Sequence, residues 1–428
     1  MMKKLVSLFL IAALLFTGLA AAVAEEKTEE VEIKRNLIGD GKNTVRIVMD
    51  GEPFSVKAMQ EVLTKFFEET GISVELMFVP SSGGWAGFNS KIQTMIAGGD
   101  TPDVIRLAIE GFEVFRSNGL IEPLNPYIEK YPEWAAMVED NIPEISAPLT
   151  VDGVTYAYGF EWNNIVTHIN LNVLKEAGLE MPPADWNYDT FLEYAKKMTF
   201  TRADGTQVYG VNVPGWYFAM SAWLFNNGAS ILNDDMTECV INSPEAKEVF
   251  QFMHDLIYVH KVAPVNGGTF IADQVGMDFA GRWPFKTYNE SGFKDVDVQW
   301  LPTNKTQQAI AGFGLWPISS ASTKKDEAFK LICWLSSKDS QRTIIDISGI
   351  PMSEEVMKEV VVDTDFPANS RVFFDSAKTA KSVECPATYN EIQAAFDRYT
   401  SLILADEMGV DEALDAMKQE IDLALMDF

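Results

Sequence analysis

Three acids stand where strands are expected to end. Asp50 and Glu52 follow the run VRIVM, and Glu110 follows VIRLAI; in open α/β sheets the C-terminal edge of the strands is where ligands bind. Each acid also has a plain structural reading, as a helix N-cap or a solvent-facing loop residue. Two carboxylates about 5 to 10 Å apart across a cleft are the pattern of a glycoside hydrolase. With 62 acids in the chain, a chance pair carries no weight. The sequence has no G-x-S-x-G elbow, no H-E-x-x-H and no G-x-x-x-x-G-K-[ST] phosphate loop. Its three histidines, His168, His254 and His260, are not grouped as metal ligands. Binding rather than bond-making is therefore expected, with no metal and no organic cofactor. Trp85, between glycines in SSGGWAG, reads either as a platform for a ligand or as cover for the sheet edge. Arg282, beside Trp283 in GRWPF, reads as the partner of an anionic ligand group, which would make a uronic-acid sugar plausible, or as the counter-charge of a nearby carboxylate.

The elements that must hold these residues alternate between strand and helix. Gly98 and Gly99 stop a helix whose Phe88, Ile92, Met95 and Ile96 share a face, and Pro102 and Asp103 open the strand VIRLAI, with Glu110 in a ligand-facing loop before the next helix. Before it come strand VRIVMD, helix SVKAMQEVLTKFFEETG, strand ISVELMFV and a loop SSGGWAG. Such βα units predict a mainly parallel sheet with helices on its faces. VDGVTYAYG predicts a short hairpin around Asp152-Gly153. A second α/β region follows, with Trp186-Asn187-Tyr188-Asp189 capping one helix and Ser243 another, and two amphipathic helices close the chain. No solenoid-type repeat is present.

Lys3 and Lys4, the run LVSLFLIAALLF and the sequence Ala22-Val23-Ala24 form a secretory signal peptide over residues 1–24. An acidic flank follows, and no cysteine stands at the cleavage site, so a soluble periplasmic or extracellular product without a lipid anchor is expected. Residues 25–42 read as a charged leader. What remains is too long for one hydrophobic core and suits two domains. A formal net charge of −28 repels nucleic acid and anionic lipid. Cys333 reads as a buried residue of an apolar helix face, and a Cys239–Cys385 bridge is possible but not deducible from sequence.

Four blocks in order, GLIEPLNPYI, YAYGFEWNNIVTHINLNVLKEAGLEMPPADWNYDTFLEYAKKMT, AGFGLWPISSASTKKDEAFKLICWLSSKDSQRTIIDISGIP and GVDEALDAMKQEIDLAL, resemble the sugar-type extracellular solute-binding proteins of bacterial ABC importers (family 1, maltose-binding-protein-like). The resemblance covers essentially the whole mature chain. It implies an α/β fold of two discontinuous lobes, residues 43–160 with 303–349 and residues 161–302 with 350–428. Three crossings near 160–165, 300–303 and 349–352 would form a hinge that closes on ligand. It further implies sugar contacts from Asp50, Glu52 and Glu110 in the first lobe, Asn163 on the first crossing, and Trp216, Tyr217, Trp283 and Tyr389 in the second, while Phe313 and Trp316 read as return-strand core. The implied partners are a small carbohydrate ligand and the two permease subunits of an importer, with the protein itself a monomer. A polyamine, iron or oligopeptide cargo on the same fold is the nearest alternative, and a secreted glycoside hydrolase a more distant one.

Overall fold

The computed structural model describes residues 34–50, 55–79, 84–345 and 349–426. The expected signal peptide, part of the leader and Glu52 lie outside the described residues. Apolar residues of the strand Thr44–Asp50 and of Ser73–Val79 alternate with, or run into, fully buried positions, and the two strands pair in parallel as βα patterning requires. Val104–Ile105 adds to the other side of Thr44–Asp50, also in parallel. The leader contributes an element that its charge concealed: Lys34–Ile38 is an antiparallel edge strand on Ser73–Val79. Its Arg35 guanidinium binds Glu75 at 3.2 Å and Asp100 at 2.8 Å, so the leader's charge lies on an exposed edge. Helix Ser55–Thr70 and helix Lys325–Ser336 cover this sheet; Phe66, Leu63, Phe329 and Ile332 lie with Val45, Ile47 and Leu76 in one core.

A second, mixed sheet of five strands runs Phe200–Thr201, Gln207–Val211, Val275–Ala280, Val166–Asn170 and Val296–Gln299. Its flanking helices begin where the sequence indicated. The Asn187 side chain accepts from the Thr190 N–H at 3.0 Å to cap Tyr188–Lys197, and Ser243 caps Pro244–Tyr258 through the Ala246 N–H at 3.3 Å. Asp152 and Gly153 both take positive φ, 51° and 78°, the backbone that a two-residue hairpin between Thr150–Val151 and Val154–Thr155 demands.

A third sheet is built from Ala157–Asn163, the return strand Ala309–Pro317, Ile350–Pro351 and Ala380–Ser382. All nine residues of the return strand are buried. Leu107–Ala108 also pairs with it. The expected single strand VIRLAI is therefore two short pieces on two different sheets, broken at Arg106. Helix Tyr389–Leu404 packs with Val410–Met426 at the end of the chain. Cys239, Cys333 and Cys385 are three buried free thiols, so the bridge between Cys239 and Cys385 is not made. No helix among the described residues is long and apolar enough to cross a membrane.

Candidate ligand-binding cleft

The strand ends and helix starts of these sheets converge on a cavity of about 770 Å³. One side is polar. Arg106, set in the break between Val104–Ile105 and Leu107–Ala108, is fixed by its N–H to the Val48 carbonyl at 2.8 Å. Its guanidinium donates to Asp50 at the end of Thr44–Asp50, and to Glu161 on Ala157–Asn163 at 2.6 Å. Burial opposes the charge on Arg106, but the two carboxylates outweigh it and raise its pKa. Glu161 is pushed up by burial against the pull of Arg106. The same guanidinium lies 5.0 Å from the Trp85 ring centre, so Trp85 is a cation–π partner at the mouth of this polar side. Gly314 makes room for Glu161: a Cβ there would lie 2.7 Å from Glu161 Cγ.

The opposite side is aromatic. Trp216 is extended at the start of Tyr217–Asn226, and Trp283 precedes Pro284–Ser291. Their rings meet edge to face at 6.0 Å, and Phe218 stacks on Trp216 at 5.9 Å. Trp216 is 41% and Trp283 36% exposed, uncommon for indoles with aromatic neighbours and suited to a surface awaiting a partner. Two glycines permit this wall. A Cβ on Gly281 would overlap the Trp283 ring, and one on Gly312 would come within 2.9 Å of Phe218.

Glu110 and Asn163 complete the lining. Glu110 occupies the first turn of Ile109–Ser117, which starts directly after Ala108 with no intervening loop. Burial, opposed by its own backbone N–H and by Arg106, lifts its pKa to about 7. The Asn163 amide oxygen is buried without a hydrogen-bond partner among the described residues, an acceptor that a ligand donor would satisfy.

Asp50, Trp85, Glu110, Asn163, Trp216 and Trp283 are thus brought together, and three expected site residues are not. Tyr217 follows Trp216 but turns the other way, because successive residues at a helix start point to different sides. It is 2% exposed, donates to the Glu384 carbonyl at 2.7 Å and packs on Phe396. Tyr389, also 2% exposed, meets Tyr217 edge to face inside the same core. Arg282 points away from the cavity and donates to the Gly349 and Val360 carbonyls, both at 2.7 Å. It clamps backbone near Ile350–Pro351, so the uronic-acid argument built on it falls.

Sequence reasoning missed Arg106, Glu161, Phe218, Thr287 and Tyr288, and placed Phe313 in the core although it lines the cavity. Trp316 is core, with no exposure. Arg106 and Glu161 did leave a signal: each is a lone charge inside an otherwise apolar strand run. Tyr288 is held from behind. Its hydroxyl lies 3.2 Å from His168 Nδ1, and His168 Nε2 lies 2.9 Å from the Gly281 carbonyl, which only accepts. His168 is therefore neutral with its proton on Nε2, and burial depresses its pKa to about 4.

A maltotriose-binding protein of Pyrococcus abyssi is 21% identical over 77% of this chain and 72% of its own length. A putative binding protein of Brucella abortus is 27% identical over 68% of this chain and 71% of its own length. Among solved structures, an ABC substrate-binding protein of Listeria monocytogenes in complex with cycloalternan superposes with a TM-score of 0.81 at 26% identity, over 90% of this chain and all of the other. A maltose-bound protein of T. maritima gives 0.75 at 22% identity over 89% and 99%, a likeness of fold. The family described as bacterial extracellular solute-binding protein matches residues 61–368. By that match, and with the two-lobed fold its solved relatives share, the chain belongs to the bacterial extracellular solute-binding proteins.

Proposed function

We propose that this protein captures a neutral carbohydrate, longer than one ring, in the cleft and delivers it to the permease of an ABC importer without chemical change. The observation that carries the reading is the pairing of an aromatic wall, Trp216 with Trp283, with a polar wall of Asp50, Arg106, Glu110 and Asn163. Sugars present C–H patches to the first and hydroxyl rims to the second. A volume of about 770 Å³ lies in the upper part of the usual range for ligand sites, about 300–1,000 Å³, which supports an oligosaccharide. The relatives' ligands, maltotriose and cycloalternan among them, support the same class.

Charge bears on the main alternative. A polyamine needs free carboxylates, yet Asp50 and Glu161 are both engaged by Arg106, a cation that would repel it. The enzyme reading loses support for a related reason: the carboxyl nearest in character to a general acid, Glu110, has no second free carboxylate beside it among the described lining residues. The strands Thr44–Asp50, Ser73–Val79 and Val104–Ile105 fall within residues 43–160 and the second sheet within 161–302, which supports those parts of the two lobes, 43–160 with 303–349 and 161–302 with 350–428. The third sheet takes strands from both, since Ala380–Ser382 and Ile350–Pro351 join Ala309–Pro317 and Ala157–Asn163. Thr303 is still hydrogen-bonded to Trp186, and Lys305 and Thr306 to Asn226, which favours a second crossing within Ala309–Pro317. Secretion after cleavage at residue 24 and a monomeric state remain part of the proposal.

The deciding experiment is a thermal-unfolding screen against maltose, maltotriose, cycloalternan, glucuronate and spermidine. A ligand at about 100 times its Kd adds roughly 2.7 kcal/mol of stability. Stabilisation by an oligosaccharide supports the reading, and stabilisation by spermidine alone overturns it.

A further inference from the structure

Arg106 holds two of the carboxyls in this cleft and leaves the third alone. Glu110 is 4% exposed and lines the cavity, and among the described residues its carboxyl meets only its own backbone N–H. The groups around it come from every side. Arg106 precedes its helix; Tyr389 comes from Tyr389–Leu404, Tyr217 from Tyr217–Asn226, and Cys385 from the segment between them. Helix Gly84–Ala97, whose one titratable side chain is Lys91, brings Asn89 against the neighbouring Gly111, and the return strand brings no ionisable group. The charged groups in its surroundings are Arg106 with the carboxylates it holds, Asp50 and Glu161, in the same cavity, and Glu113 and Glu384, which act on Cys385. The side chains packed on Glu110 itself, Tyr217, Cys385 and Tyr389, are neutral near pH 7.

From this placement we infer that Glu110 meets the bound sugar as a neutral carboxyl, so that capture takes up a proton from solvent whenever Glu110 begins ionised. The inference rests on the carbohydrate reading above. In the free protein burial already lifts this carboxyl to about 7, so both forms are present near neutrality. Closing the lobes removes the remaining water and penalises the anion further. A neutral carboxyl, by contrast, is served on both oxygens by sugar hydroxyls, donating through O–H and accepting at C=O. A cation in the same place would fix the anion instead, and binding would release a proton. The sign of the proton exchange therefore reports the class of ligand.

The test is isothermal titration with maltose, maltotriose and cycloalternan in phosphate and in Tris, whose ionisation heats differ, joined to infrared titration of the carboxyl C=O band in the free protein. The sugar affinity should fall about tenfold between pH 6 and pH 8, with proton uptake counted from the two buffers. Glu110→Gln should remove both the slope and the uptake, and should erase an infrared band that titrates near neutrality. A wild-type affinity independent of pH over this range, a slope that survives in Glu110→Gln, or proton release overturns the inference. If Glu110→Gln fails to fold, the wild-type proton count alone decides. Failure of all three sugars to bind overturns the coupling together with the carbohydrate reading. The infrared arm then separates the faults: a Glu110 band near neutrality faults the ligand class alone, and no such band faults the carboxyl assignment.

Discussion

Removing the Trp283 ring tests the aromatic wall most directly. Of the roughly 250 Å² that an indole side chain presents, the 36% now exposed leaves roughly 90 Å² for a ligand to cover. At about 25 cal/mol per Å² that area is worth about 2 kcal/mol of binding. Loss of the edge-to-face contact with Trp216 at 6.0 Å also loosens the second platform, by about 0.5–1.5 kcal/mol at most. Trp283→Ala should therefore weaken the best-binding oligosaccharide by about 1.5–3 kcal/mol, roughly 10- to 150-fold in Kd. Isothermal titration at pH 6, where Glu110 is mainly protonated, keeps the two effects apart, and a thermal melt without ligand checks that the variant is folded. Glu110→Gln should cost less than Trp283→Ala, since an amide keeps part of the hydrogen bonding. A folded Trp283→Ala with wild-type affinity would refute the cleft assignment.

Arg106→Met leaves Glu161 and Asp50 without their cation and should cost about 3–5 kcal/mol at neutral pH. Because burial raises the pKa of Glu161 in the folded state, that deficit should grow as pH rises above the ordinary glutamate range, which denaturant melts at several pH values would read. His168 is depressed to about 4, so the unfolded chain takes the proton first; stability should fall as pH drops from about 6.5 towards 4, by about 3 kcal/mol at the lower end. His168→Phe should remove that acid limb, and an unchanged limb would be against the assignment. Gly281→Ala should weaken sugar binding at least several-fold and also lower the melting temperature, because its methyl group meets both the Trp283 ring and, at 2.6 Å, the Asn164 backbone carbonyl. Burial raises the Cys239 thiol to about 12 and pushes Cys385 and Cys333 up as well, so a thiol reagent should label none of the three in the native protein and all three in denaturant; labelling of the native protein would contradict their burial.

Local rules carried the sequence reading wherever one residue's own backbone or cap decided the outcome. Asp152-Gly153 gave a hairpin because both adopt positive φ, and Asn187 and Ser243 gave helix starts because a short side chain reaches an unpaired N–H. The break at Arg106 was hidden because no rule of periodicity knows that Leu107–Ala108 is wanted by a strand two hundred positions later. Orientation within a dipeptide was equally hidden. Trp216 and Tyr217 are both aromatic loop-to-helix residues, and only the packing of Tyr217 against Tyr389 and Phe396 sends one outward and the other in. Arg282 misled because a guanidinium beside a tryptophan looks like a ligand contact, whereas backbone carbonyls claim it. The leader strand was lost to its charge: an exposed edge tolerates arginine as a core strand does not.

The return strand also sets a timetable for the chain. Ala309–Pro317 joins Leu107–Ala108 and Ala157–Asn163 and is itself completed by the later Ala380–Ser382, so neither early segment has its full set of backbone partners until most of the polypeptide has been made. Contacts this distant in sequence close slowly, since loop entropy must be met before they form. During synthesis the first part of the molecule therefore stays open for longer than a chain of local contacts would. For a member of an extracellular solute-binding family, such a delay would keep the polypeptide threadable for as long as its core is unfinished.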